Sequence, residues 1–130
     1  EFMSPFDAAT FYNEGLAENE FQTDGTLIRG IGTSPGRVSG RAKIVDDPAQ
    51  SDIQKGDILI ARNTDPGWTP ILSIAGGMVM EEGGLLNHCS IVARELGVPS
   101  VVGVHRATRR IQDNDLITID GGLGIIIIED

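Results

Sequence analysis

Gly83-Gly84-Leu85-Leu86-Asn87-His88-Cys89-Ser90-Ile91-Val92-Ala93-Arg94-Glu95-Leu96-Gly97-Val98-Pro99 is the stretch on which the reading of this chain turns. It predicts a loop, a helix over residues 88–96 and a stop. Asn87 is a good N-cap, because its side-chain carbonyl can accept from an orphan N–H of the first turn. Ile91, Val92 and Leu96 are spaced to share one apolar face. Gly97 can adopt the left-handed conformation that closes a helix, and Pro99 cannot continue one. The apolar run Met78–Met80 precedes the loop, and Ser100–Val104 follows the helix. Strand, loop, helix, strand is the repeating unit of an α/β fold.

The same alternation extends in both directions. In Val38–Val45, Val38, Ala42 and Ile44 alternate with Ser39, Arg41 and Lys43, which reads as a half-buried strand interrupted by Gly40. Asp57–Ala61 is a short buried strand, and residues 63–67 are a turn. Thr69–Ala75 can form a short helix with Pro70 in its first turn. Trp68 reads as a core side chain. Leu116–Ile119 and Ile125–Ile128 are strands on either side of a turn holding Gly121, Gly122 and Gly124. Gly30, Gly32, Pro35 and Gly36 make the entry, near residues 27–36, rich in turn signals. Strands outnumber helices throughout.

A chain of 130 residues is one domain's worth, enough to bury a single modest core. Its net charge of −9 is unevenly spread. Residues 1–25 hold six acids and no Lys or Arg, leaving 13 acids against 10 bases in the remainder. The expected organisation is therefore a cloning remnant at residues 1–3, an acidic linker or arm at 4–26 and a domain at 27–130. Neither part offers the basic stripe that a nucleic acid requires. Cys89 is the only cysteine, so no internal disulfide forms, and two histidines with one cysteine argue against a structural zinc site. The longest purely apolar run, Ile125–Ile128, falls far short of a membrane span. A reducing cytoplasmic setting fits this cysteine usage.

The chemistry gathers at residues 83–90. A helix start presents unpaired N–H groups and partial positive charge, and glycines let backbone approach a bulky anion. An imidazole there is a nucleophile near neutral pH. His88 can thus take a phosphoryl group whose oxygens are received by backbone donors. Equally, a histidine at a helix start can be a cap or a partly buried polar residue, and residue chemistry alone leaves both readings open. Cys89 reads as a packing side chain, since adjacency in sequence does not pair it with His88 in space. His105, beside Arg106, Arg109 and Arg110, reads as a surface residue on a solvated basic turn.

Residues 83–103 closely resemble the phosphohistidine signature of the PEP-utilising enzymes. That family includes pyruvate phosphate dikinase, phosphoenolpyruvate synthase, Enzyme I of the sugar phosphotransferase system and rifampicin phosphotransferase. Gly32–Gly40 is similar to the family's entry segment, and Ile117–Gly124 to its closing strands, so the likeness covers about residues 27–130. Thr64-Asp65-Pro66-Gly67-Trp68-Thr69-Pro70 and Leu86 resemble the rifampicin phosphotransferases and synthase-like members. Dikinases and Enzyme I usually carry Thr where Leu86 stands, and Leu86 cannot offer a hydroxyl.

The resemblance implies an α/β fold, a compact swivelling β/β/α phosphohistidine domain. It implies that His88 is the catalytic residue, phosphorylated at Nε2, with Nδ1 donating to a carbonyl. Gly83, Gly84, Asn87, Cys89 and Ser90 then form the phosphate-binding set. Arg94 and Glu95 match positions that support the fold or dock to a partner domain. The domain itself would bind no cofactor or metal. Mg²⁺ and ATP would sit on a partner domain, with a third domain holding the acceptor: pyruvate, an antibiotic hydroxyl or another group. The isolated domain would have no turnover. A non-catalytic binding or regulatory module that keeps the fold is the competing reading; the presence of His88 argues against it. A lipoyl or biotin carrier is excluded because no lysine occupies the required hairpin turn.

The acidic arm carries its own expectation. Its Phe6, Phe11, Leu16 and Phe21 are too sparse to define an apolar face. Amide hydrogen exchange across residues 4–25 should be fast, and strong protection over residues 11–21 would show instead that the arm docks on the body.

Overall fold

Eight strands and three short α-helices alternate along residues 26–129, the part that the computed structural model describes. Residues 1–25 and Asp130 lie outside the described residues, and with them the expected cloning remnant and nearly all of the acidic arm. The elements are β1 (Thr26–Arg29), β2 (Ile31–Ser34), β3 (Arg37–Ile44), β4 (Ile58–Ala61), α1 (Thr69–Leu72), β5 (Gly77–Met80), α2 (His88–Leu96), β6 (Ser100–Val102), α3 (Ala107–Arg110), β7 (Leu116–Asp120) and β8 (Ile125–Ile128). Short 3-10 turns at Pro48–Gln50 and Pro66–Trp68 are each opened by an aspartate, Asp47 or Asp65, whose side chain accepts a backbone N–H.

The strands form one mixed sheet in the order β1-β8-β7-β3-β4-β5-β6-β2. Strands β3 to β6 are mutually parallel, while β2 on one side and β7, β8 and β1 on the other pair antiparallel. Strands β1 and β2 stand at opposite ends of that order, yet only Gly30 separates them in the chain. The sheet is therefore rolled, its two ends joined through the covalent backbone. This is the α/β architecture the sequence implied, with strands in the majority.

Strands β4 and β5 are buried along their whole length, as parallel strands covered on both faces must be. Their alternating side chains feed two cores. Ile58, Ile60, Val79 and Val101 meet Ile117, Ile119, Ile126 and the α3 residue Ala107. Leu59, Ala61, Met78 and Met80 turn the other way, toward Cys89 and Ala93 of α2 and toward Leu72 and Trp68. Burying each such Ile or Leu contributes about 1.5–3 kcal/mol over leaving it exposed. Trp68 belongs to the core, as expected.

Three expectations need correction. The turn-rich entry is two strands, β1 and β2. Its glycines mark backbone contact: a β-carbon on Gly121 would overlap the Ser34 carbonyl, and one on Gly32 would overlap the Gly121 carbonyl. Helix α2 spans residues 88–96 as expected but turns a different face inward. Cys89, Ser90 and Ala93 are buried; of the expected face Val92 packs partly buried against the core, whereas Ile91 and Leu96 are exposed. Lastly, the basic turn after His105 contains a helical turn, α3, held by buried Ala107 and Ile111.

Glu81, just past β5, ties this turn to the sheet. Its Oε2 accepts from both the N–H (2.9 Å) and the hydroxyl (2.6 Å) of Thr108. The Thr108 hydroxyl bond, followed by the Thr108 N–H and the nearby charges of Arg62 and Arg109, outweighs burial and holds the Glu81 carboxyl below its usual value of 4.5.

Two measurements test this account. In urea unfolding, Gly121→Ala should lose about 2–3 kcal/mol or more, because backbone must move, while Gly84→Ala, which meets nothing within 4 Å, should stay within about 0.5 kcal/mol of wild type. Because the folded Glu81 has the lower pKa, its contribution is present above the unfolded value and lost as pH falls through the folded one. The melting-temperature gap between wild type and Glu81→Gln should therefore be full at neutral pH and shrink as pH falls below the ordinary glutamate value of 4.5; a pH-independent gap would refute the linkage.

Candidate functional site

The loop from Glu81 to Asn87 leaves the carboxyl end of β5, the sheet edge where the parallel strands of α/β folds hold their ligands. Gly83 sits at φ 116°, a conformation L side chains rarely take, and a β-carbon there would press on the Asn87 side chain at 2.9 Å. Gly84 borders open space. Asn87 is the N-cap of α2: its side-chain oxygen accepts the Cys89 N–H at 3.0 Å, and its own N–H reaches the Gly84 carbonyl at 3.1 Å. Gly97, at φ 75°, closes the helix, and Val98 N–H returns to the Ala93 carbonyl.

His88 is the first residue of the helix and is half-buried. Its Nδ1 is buried and makes no hydrogen bond among the described residues. That corrects the expectation of an Nδ1 bond to a carbonyl. Thr64 Oγ1, in the loop that leaves the neighbouring strand β4, is the other buried side-chain polar atom without a partner among the described residues. The loops after β4 and β5 touch, since Glu82 N–H donates to the Arg62 carbonyl and Asn63 donates to the Glu82 carboxylate. Leu85 and Leu86 flank the histidine, 60% and 85% exposed. His88 lines neither the cleft formed by Val45, Asp46, Arg62, Asn63 and Trp68, about 300 Å³, nor that formed by residues 44–47 and 50–52.

The residues singled out from sequence separate into distinct roles. Gly83, Gly84 and Asn87 shape the loop beside His88. Cys89 does not face it. Its side chain is fully buried, with Sγ 3.3 Å from Met78 Sδ, and burial pushes the thiol up to about 12. Its N–H is taken by the Asn87 cap, which removes it from the donors the helix start offers in this conformation. Ser90 is also fully buried, its hydroxyl bonded to the Gly84 carbonyl at 2.8 Å and to Thr33 Oγ1 at 2.9 Å. Thr33 in turn meets Ser100 at 2.6 Å. The Ser90 side chain therefore clamps the loop and is not available to an anion. No hydrogen bond occupies the N–H of His88 or of Ser90 among the described residues. His105 is exposed, as expected.

Arg94 does more than the sequence suggested. One guanidinium nitrogen donates to the Thr33 carbonyl at 2.8 Å and the other to the Leu85 carbonyl at 2.6 Å. Thr33 lies on β2, 61 residues away, and no local pattern announces such a partner. Within the described residues no group of three or more His, Cys, Asp or Glu could hold a metal ion, and no helix is long and apolar enough to cross a membrane.

Comparison with known proteins bears on this geometry. The family model for the mobile domain of PEP-utilising enzymes matches residues 53–124. A phosphoenolpyruvate synthase of Aeropyrum pernix is 44% identical over 102 residues, covering 77% of this chain and 12% of that protein. A rifampicin phosphotransferase of Streptomyces sviceus is 48% identical over 105 residues, covering 81% of this chain and 12% of that protein. This chain thus spans about an eighth of the length of these relatives. Among solved structures, Enzyme I superposes with a TM-score of 0.52 at 33% identity, over 59% of this chain and 32% of that one. Aconitase X of Thermococcus kodakaraensis shares the fold alone, with a TM-score of 0.64 at 16% identity over 82% of this chain and all of that one. A matched segment that runs from before β4 to the turn after β7 and takes in the whole His88 loop makes this chain a member of the PEP-utilising enzyme mobile domain family.

Proposed function

We propose that this chain is the phosphoryl-carrier domain of a multidomain phosphotransferase, with His88 as the residue that carries the group. One observation supports the reading above the others. Within the family-matched segment, a half-buried imidazole stands at the start of a nine-residue helix with its Nδ1 buried. Nε2 is then the nitrogen that can meet an incoming phosphoryl group. Transfer forms the Nε2–P bond as the bond from phosphorus to its leaving oxygen breaks. The N–H groups of His88 and Ser90, together with the helix dipole, favour the resulting anion by about 0.3–1 kcal/mol at an exposed site.

The donor in this reading is ATP, bound with Mg²⁺ on a separate domain. The acceptor, a pyruvate or an antibiotic hydroxyl, sits on another. The names of the relatives support that range of acceptors, and the small share of their length spanned here supports the presence of further domains. A carrier histidine must enter two different pockets in turn, and a half-buried imidazole that closely follows the exposed Leu85 and Leu86 in the chain suits that task. The reaction compartment is proposed to be the cytoplasm, where ATP is available.

Incubation with ATP, Mg²⁺ and the partner domains should label His88 with an acid-labile, alkali-stable phosphate, and His88→Ala should abolish the label. An acid-stable phosphate, or undiminished labelling of the variant, would sink the proposal. Gly84→Val should slow loading by at least about tenfold through crowding of the approach, with little change in melting temperature, since the position borders open space.

A further inference from the structure

The carbonyl oxygens of the loop before His88 are drawn toward the helix. Gly84 C=O accepts from Ser90 Oγ at 2.8 Å and from Asn87 N–H at 3.1 Å. Leu85 C=O accepts from Arg94 at 2.6 Å, while the same guanidinium holds the Thr33 carbonyl of β2 at 2.8 Å. The described peptide bonds are all trans, so each N–H points opposite to the carbonyl of its own peptide unit. Pinning the carbonyls of Gly84 and Leu85 inward therefore turns the N–H groups of Leu85 and Leu86 outward. Neither of those N–H groups makes a hydrogen bond among the described residues.

We propose that Arg94 is a positioning residue for phosphoryl transfer: its two-pronged grip on Leu85 and Thr33 keeps loop carbonyls away from the phosphoryl anion and presents loop N–H groups toward it. This deepens the carrier reading and rests on it. The physical point is one of sign. A carbonyl oxygen facing a phosphoryl dianion repels it, whereas an N–H attracts it, so a single flipped peptide exchanges a donor for an acceptor. The Leu85–Leu86 peptide has no packing to hold its orientation, since both side chains are exposed, and the loop's own hydrogen bonds do not reach the Leu85 carbonyl. Arg94 is the one partner of that carbonyl among the described residues. The fork matters as well as the charge, because one planar guanidinium spans two carbonyls on different elements and an ammonium cannot.

The test compares two small electrophiles on wild type, Arg94→Met and Arg94→Lys, at a temperature well below each melting point. Phosphoramidate is anionic: the imidazole N–P bond forms as its P–N bond breaks and ammonia leaves. Diethyl pyrocarbonate is uncharged and reads the accessibility and nucleophilicity of the same imidazole. Mass spectrometry of the His88 peptide under alkaline handling scores both. Phosphoramidate loading should fall about tenfold or more in both variants, the worth of one hydrogen bond to a charged group, while the pyrocarbonate rate stays within about twofold of wild type. A parallel fall in both reactions would mean a merely structural role, and wild-type loading by Arg94→Lys would mean that charge alone matters; either overturns the inference and leaves the carrier reading standing. If Arg94→Met does not fold, Arg94→Lys decides. Wild type that accepts no phosphoryl group from phosphoramidate, nor from ATP through the partner domains, would overturn the carrier reading and this inference together.

Discussion

Helix α2 can lie close against the sheet only because the residues it turns inward are small. Cys89, Ser90 and Ala93 fill that interface, and the bulkier Ile91 and Leu96 are left outside. Close approach brings Ser90 within reach of both Thr33 and Gly84, and Arg94 within reach of both Thr33 and Leu85. The loop, the cap and the position of His88 all follow from that short distance. A larger side chain at Ala93 would lift the helix and break polar contacts that no loop residue could restore, because the loop contributes backbone carbonyls alone to them.

Much of this was legible in the sequence, for a physical reason: the signals were local. Asn87 and Gly97 bracket helix α2 as cap and stop, and β4, β5, β7 and β8 are apolar runs between turn residues. The failures were also physical. Glycine is ambiguous in sequence, since it serves both turns and close backbone contact, and Gly32 does the second. The buried face of α2 was misread because hydrophobicity favours Ile91 and Leu96, whereas distance to the sheet favours small side chains. At the site, His88 and the glycine pair stood out through helix-start chemistry. That the side chains of Cys89 and Ser90 turn into the body was not legible, because nothing local tells a buried hydroxyl or thiol from an exposed one.

The two cysteine readings show how environment assigns chemistry. A thiol beside the histidine would be a competitor for any electrophile. Here burial holds it protonated, and its neighbour is a thioether in the core. The half-buried imidazole is left without a sulfur rival, although the two residues are adjacent in the chain.

Strand pairing at the start of the described chain has a mechanical consequence. Thr26 lies opposite Ile128, so the polypeptide enters and leaves the body side by side. The first and last described strands are thus anchored to each other along four residue pairs. A pull that separates Thr26 from Ile128 loads the β1–β8 pairing from that end inward, before it loads the central parallel strands. The loop that bears His88 hangs from the carboxyl end of β5, two strands from β2 and five from β1 in the sheet order, so force at the β1–β8 seam reaches it only through other strands of the sheet.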